Sequence, residues 1–182
     1  MKFVPEIHHR RSVRLKGYNY STTGAYFVTI CTHNREYLFS VVGATLAVAQ
    51  NSVGQENRNK IVLKTPGKII LKNWNKISQR FKNVRTDDLV IMPNHIHGIL
   101  MITNNKRVTA RVTPTLGDII CSFKSECVNE YLKFIRKKKL NISGLLWQRN
   151  YYEHIIRNDK EFEKYRNYIK DNSSRWNEDE YF

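Results

Sequence analysis

Val90-Ile91-Met92-Pro93-Asn94-His95-Ile96-His97-Gly98-Ile99-Leu100-Met101-Ile102 sets two imidazoles one residue apart inside an apolar run. Side chains on a β-strand alternate between faces, so His95 and His97 point to one side and Ile96 to the other. Each ring brings a donor and an acceptor that a buried strand must satisfy. Two readings meet that demand: the rings are hydrogen-bonded structural histidines, or they are two nitrogen ligands for one divalent cation. Pro93-Asn94 is a turn dipeptide that forbids a continuous strand, so the run divides into strands over 89–92 and 95–102.

A second informative stretch is Asn158-Asp159-Lys160-Glu161-Phe162-Glu163-Lys164-Tyr165-Arg166-Asn167-Tyr168-Ile169-Lys170-Asp171-Asn172. Asn158 or Asp159 can cap it, and acidic residues crowd the first turn where the helix dipole favours them, so it reads as a short amphipathic helix. Its apolar stripe is Phe162, Tyr165 and Ile169. At about 100° per residue Tyr165 lies within that stripe, whereas Tyr168 falls roughly 90° from its centre, on the polar border. Tyr165 is therefore assigned to the core; Tyr168 is either a boundary tyrosine or one placed for chemistry. Asn172 follows Tyr168 at i+4, so its amide shares that stripe and could offer an oxygen to a cation held by the histidines.

The rest of the chain alternates strand and helix. Residues 1–23 form a basic polar arm, and 26–32 alternate and β-branch like a first strand. The stretch 40–60 reads as a variable loop or hairpin. After Pro66-Gly67, a helix is expected over 68–79 with Ile69, Ile70, Trp74 and Ile77 as its buried face. Residues 104–114 are a polar linker, and 116–137 a longer helix carrying Ile120, Phe123, Cys127, Tyr131 and Phe134 at spacings of three and four. A fourth strand falls within 147–156, before the tyrosine helix. The order βαββαβα, with an antiparallel sheet and helices on one face, is an α+β, ferredoxin-like split βαβ fold with an added C-terminal helix.

The 182 residues suit one domain, and 31 Lys+Arg against 16 Asp+Glu give a formal charge of +15, which favours a polyanionic partner. Nucleic acid is the first choice; no apolar run is long enough to span a bilayer, and no hydrophobic stretch follows the basic N-terminus as in a signal peptide. Ten tyrosines, eight phenylalanines and three tryptophans offer stacking surfaces for single-stranded bases, although most aromatics in a domain are core. Arg10, Arg11, Arg14 and Lys16 could clamp DNA as a terminal arm. Arg149 and Arg157 could hold phosphates or read bases, or could pair with Glu153 or Asp159. Cys31, Cys121 and Cys127 lack zinc-like spacing and read as small buried hydrophobes of a reducing compartment.

Several motifs, in order, carry a family resemblance: Arg14-Leu15-Lys16-Gly17-Tyr18, Gly24-Ala25-Tyr26-Phe27-Val28-Thr29-Ile30-Cys31-Thr32, Met92-Pro93-Asn94-His95-Ile96-His97-Gly98, Phe123-Lys124-Ser125, Trp147-Gln148-Arg149-Asn150-Tyr151-Tyr152-Glu153-His154-Ile155-Ile156-Arg157, and Tyr168-Ile169 followed by Asn172. The chain resembles the single-tyrosine HUH transposases, in particular the REP-associated tyrosine transposases. That resemblance covers most of the chain and implies the same split βαβ fold as a single domain over 1–182. It implies that His95 and His97 bind Mg²⁺ or Mn²⁺ with Asn172 as third ligand, and that Tyr168 is the nucleophile. The implied activity is a metal-dependent single-stranded DNA endonuclease and strand transferase that forms a covalent 5′-phosphotyrosine at hairpin-forming sites. The implied setting is cytoplasmic and nucleoid-associated, as a monomer or homodimer. The family usually has Asn-Pro after the tyrosine helix, whereas here Ser173 follows Asn172, so a helix stop is missing.

Two rivals stand beside this reading: a catalytically inactive single-stranded nucleic-acid-binding module on the same fold, and a metal hydrolase using water. The second would typically bring a carboxylate ligand, and the histidine strand offers none nearby. A tyrosine nucleophile also needs help, since a phenol with a pKa near ~10 costs on the order of 3 to 4 kcal/mol to ionise at neutral pH. His154 is one candidate base, although a histidine in an apolar strand is more often structural.

Overall fold

A computed structural model describes residues 17–43, 60–103 and 114–176. Arg10, Arg11, Arg14 and Lys16 of the basic arm lie outside these, as do residues 44–59 and 104–113. In chain order the elements are β1 (Gly24–Cys31), β2 (Ser40–Gly43), β3 (Lys60–Leu63), α1 (Thr65–Asn75), α2 (Ile77–Arg80), β4 (Val84–Ile91), β5 (His95–Ile102), α3 (Leu116–Lys138), β6 (Tyr152–Ile156) and α4 (Asp159–Asp171). The main sheet has the order β4-β5-β1-β6 with every neighbouring pair antiparallel. Without the β2–β3 ribbon and the short α2, the chain reads βαββαβ plus a final helix, the split βαβ arrangement expected from the sequence.

Strand alternation divides the sheet into two unequal faces. Tyr26, Val28, Ile30, Ile96, Leu100 and Ile102 point to one side, where α1 and α3 bring Ile69, Ile70, Trp74, Ile120, Phe123, Cys127 and Tyr131 to form the main core. Phe27, Val90, Met92, Ile99 and Ile156 point to the other and meet Ile169 of α4 and Trp176. The tyrosine helix thus lies across the sheet from α1 and α3, on the face that carries the histidines.

Local chemistry accounts for the element ends. α1 starts at Thr65 rather than at 68, because Pro66 falls in the first turn, where its missing N–H is no loss. It also stops earlier, at Asn75, and Ile77 belongs to the separate turn α2, although Ile69, Ile70, Trp74 and Ile77 are all buried as expected. α3 opens with a reciprocal cap: the Asp118 N–H donates to the Thr115 hydroxyl, and the Thr115 N–H donates to the Asp118 carboxylate. β4 extends back to Val84, well before residue 89. The ends of the 40–60 stretch pair as the β2–β3 ribbon, with Val42 and Ile61 packed toward the second core. Cys31 and Cys127 are buried free thiols, but Cys121 is exposed, because it lies on the outer side of α3.

Gly98 connects the main core to the histidine strand. A Cβ there would sit 2.5 Å from two ring carbons of Trp74, so the indole packs directly against the backbone of β5 one residue beyond His97. Only glycine allows this approach without moving either the ring or the strand. No helix among the described residues is long and apolar enough to cross a membrane.

Gly98→Ala should therefore destabilise the fold by about 1–3 kcal/mol through overpacking, lowering the thermal midpoint by roughly 2–4 °C per kcal/mol. Thermal unfolding of the variant against wild type measures this; an unchanged midpoint would show that Trp74 does not brace the strand.

Candidate active site

His95 and His97 are buried on the α4 side of the sheet. The β1–β5 register sets Thr29 opposite His97, and the Thr29 Oγ1 lies 2.8 Å from His97 Nδ1. Asn94, in the turn that Pro93 enforces, places its Oδ1 2.8 Å from His95 Nδ1. Because an amide oxygen only accepts, His95 donates through Nδ1, and in the neutral ring Nε2 then carries the lone pair. That Nε2 lies 3.0 Å from His97 Nε2. Both rings are thus held by oxygens at Nδ1 while their Nε2 atoms converge, the orientation that metal-ligating histidines take from their supporting hydrogen bonds. Burial, and then the neighbouring His95, hold the His97 pKa well below its ordinary value, so the ring is neutral at physiological pH.

α4 brings the tyrosines. Asn158, not Asp159, is the cap: its Oδ1 accepts from the Glu161 N–H at 2.9 Å. Ile169 is buried, and Phe162 and Tyr165 pack against the second core, as their spacing requires. Tyr165 stacks on Phe27 at 4.5 Å between ring centroids. Tyr168 is 38% exposed, and its hydroxyl lies 3.4 Å from His97 Nε2. Phe27 also stacks on His97 and meets the edge of Tyr168, so one aromatic ring spaces all three side chains.

The rotation of α4 is fixed at its edge. An irregularity in the β4 ladder between Thr86 and Leu89 leaves Asp87 and Asp88 out of register. Asp87 accepts a two-pronged pair from Arg166, with Nε at 3.1 Å and Nη2 at 3.0 Å, while Lys170 reaches Asp88 at 3.9 Å. Asn172 caps the helix end and is buried one turn beyond Tyr168. Although Ser173 stands where proline was expected, the helix still stops there. The Ser174 N–H and hydroxyl both donate to the Asp171 carbonyl, and the Arg175 N–H donates to that of Asn172, closing a turn. The turn carries Trp176 over His95, with ring centroids 6.0 Å apart, and Tyr37 meets the edge of the indole.

His154 is otherwise engaged. Its Nε2 lies 3.3 Å from Glu161, whose other oxygen accepts the Arg157 N–H, and its ring sits against Tyr165. This is a structural histidine tying β6 to the start of α4. Arg149 and Arg157 flank β6 at opposite ends, both with exposed side chains. Among the described residues neither pairs with Glu153, whose enclosed carboxylate oxygens find no hydrogen-bond partner there. The backbone near Arg149 is held by Lys124, whose ammonium donates to the carbonyls of Gln148 and Arg149 at 2.6 and 3.1 Å and is pushed down to about 8 by burial.

A cleft of about 460 Å³ opens beside these groups, lined by Phe27, Thr29, His97, Tyr152, Lys164, Tyr165 and Tyr168. The structure therefore brings His95, His97 and Tyr168 together, buries Asn172 one turn away, and leaves Arg149 and Arg157 on the surface. Sequence reasoning did not find Thr29, Asn94, Phe27, Tyr152, Lys164 or Trp176. Asn94 was signalled by its place beside His95; Thr29, Phe27 and Tyr152 emerge only from pairing across the sheet.

The chain is 35% identical to an uncharacterized protein of Haemophilus influenzae (strain Rd) over 195 residues, covering 100% of this chain and 97% of that protein. The two belong to one family. No family model matches. Among solved structures, a REP-associated tyrosine transposase bound to a REP hairpin is similar at a TM-score of 0.50 and 19% identity, covering 91% of this chain and 74% of the other. That likeness extends the shared fold to a tyrosine transposase.

Because the folded pKa of His97 lies below its unfolded value, the unfolded chain binds the extra proton as pH falls. The contribution of His97 is thus fully present above about pH 6.5 and is lost as pH drops toward the depressed folded value. Urea unfolding with chelator present should show stability declining below about pH 6.5, and His97→Gln should flatten that decline.

Proposed function

We propose that this family member is a metal-dependent single-stranded DNA endonuclease and strand transferase of the transposase type, with Tyr168 as nucleophile. The observation that carries the proposal is the meeting of a half-exposed phenol with two converging imidazole nitrogens: Tyr168 Oη lies 3.4 Å from His97 Nε2, which lies 3.0 Å from His95 Nε2. The two nitrogens converge closely enough that one divalent ion could take both as ligands. The third protein ligand would be the amide of Asn172, buried one turn beyond Tyr168. His95, His97 and Asn172 would hold Mg²⁺ or Mn²⁺, which supplies a Lewis acid for a phosphodiester oxygen.

Tyr168 Oη then forms a bond to phosphorus as the bond to the 3′-oxygen breaks. The phenol loses its proton, the 3′-oxygen gains one, and the 5′-phosphate remains on the protein. The covalent link keeps the phosphodiester energy, so a second 3′-hydroxyl can reverse the step and join strands. The +15 charge favours a polyanion, and the fold neighbour's REP hairpin favours hairpin-forming single strands as the substrate. The inactive-module alternative accounts for charge and fold but gives no role to the phenol beside the histidine pair.

Incubation with labelled hairpin DNA and Mn²⁺ should yield a covalent adduct that Tyr168→Phe abolishes and Tyr165→Phe retains. Peptide mapping should place the DNA on the segment holding Tyr168; an adduct on Tyr165, Tyr151 or Tyr152 would overturn the assignment. EDTA should stop cleavage, Mg²⁺ or Mn²⁺ should restore it, and His95→Ala or His97→Ala should remove it while the protein stays folded. Normal cleavage by either variant would remove the metal role. Affinity for the hairpin should exceed that for blunt duplex and fall with salt, with a log-log slope of roughly −3.5 if about five single-strand phosphates are contacted.

A further inference from the structure

We propose that Tyr152 and Lys164 form a nucleotide subsite beside Tyr168, in which a base stacks on the Tyr152 ring and its phosphate pairs with the Lys164 ammonium. The inference rests on the single-stranded DNA reading above and specifies where the strand lies.

Tyr152 opens β6, the edge strand of the sheet, and pairs with Thr29, which on its other side pairs with His97. The three residues therefore form one row across the sheet, and all three line the cleft. The rings around them are committed: Tyr165 and His97 stack on Phe27, and His154 packs on Tyr165. Tyr152 is 51% exposed, so much of a large aromatic surface is left uncovered at the mouth of the cleft. Every base has a π-face, and a ring so placed accepts it without demanding one sequence.

Lys164 stands one helical turn before Tyr168, on the side of α4 that lines the cleft. Arg166 and Lys170 of the same helix are taken up by Asp87 and Asp88. Among the described residues no carboxylate lies within ion-pair distance of Lys164, whose ammonium rests 6.0 Å above the Tyr165 ring. A cation and an exposed ring thus share one cleft with the phenol, the combination by which proteins track single strands.

The test is equilibrium binding of a fluorescent DNA hairpin with a single-stranded flank, in EDTA and on a Tyr168→Phe background so that no cleavage intervenes. An abasic site is walked through the flank. Removing the base that stacks on Tyr152 should weaken binding roughly 5- to 150-fold, and Tyr152→Ala should cause the same loss with intact DNA. The two losses should not add, and Tyr152→Phe should bind like the parent. Lys164→Ala should reduce the magnitude of the log-log salt slope by about 0.7, and Lys164→Gln should do the same. Full affinity in Tyr152→Ala, or losses that multiply at every abasic position, would overturn the stacking; an unchanged slope in the Lys164 variants would overturn the phosphate contact. Absence of an adduct in the Tyr168-containing protein, with this binding pattern intact, would sink the transposase reading and leave the subsite standing. Failure to bind any single strand would sink both.

Discussion

Two hydrogen bonds from behind, Asn94 to His95 and Thr29 to His97, set the directions of both imidazoles, and the second face of the sheet is organised around the result. A neutral ring held by an oxygen at Nδ1 has one useful atom left, its Nε2. With both rings so held, those atoms converge at 3.0 Å, a separation that a proton or a cation must bridge. The fold supplies the two oxygens by different means. Asn94 comes from a turn that proline forces, and Thr29 from the antiparallel register of β1 on β5. Slipping that register by one residue would turn Thr29 to the side of α1 and α3 and leave His97 without its support.

Much of this was legible in the chain. A strand of period two with histidines at alternate positions, and a helix whose apolar stripe includes Tyr165 but only borders Tyr168, are local patterns, and both hold. The βαββαβα order followed from the same reading. The parts that were not legible are non-local. Phe27 spaces Tyr165, Tyr168 and His97, yet in the sequence it is one more apolar residue of β1. Asp87 and Asp88 stand just before the strand that the sequence suggests from residue 89. They prove to be the bulge that grips α4, and no spacing within β4 foretells a partner that is 79 residues away in the chain. α1 starts three residues before the helix that the sequence suggests, for a local reason: Pro66 occupies its first turn and does not merely precede it. The helix stop at Asn172 shows that a hydrogen-bonded turn through Ser174 can do what a proline would.

The site also shows why charge and chemistry are separate questions here. The formal charge of +15 is spread over the whole chain, and several cations within the described residues are spent on structure: Arg166 on Asp87, Lys72 on Glu130, Arg80 on Glu126, and Lys124 on backbone carbonyls. Lysine and arginine count therefore overstates what remains for a polyanion. It is the arrangement around the cleft, with one cation and several rings, that gives the charge a direction.

The packing of Trp74 against Gly98 divides the site mechanically. Behind the histidines the strand is wedged by a rigid indole in an apolar core, so their half of the site is stiff and has no ion pair there for dissolved salt to screen. The tyrosine half rides on a helix with one buried residue, steadied at its edge by partly exposed ion pairs that dissolved salt screens. Ionic strength thus acts on the compliance of one wall and not the other: the phenol is borne on a spring, and the imidazoles are its fixed stop.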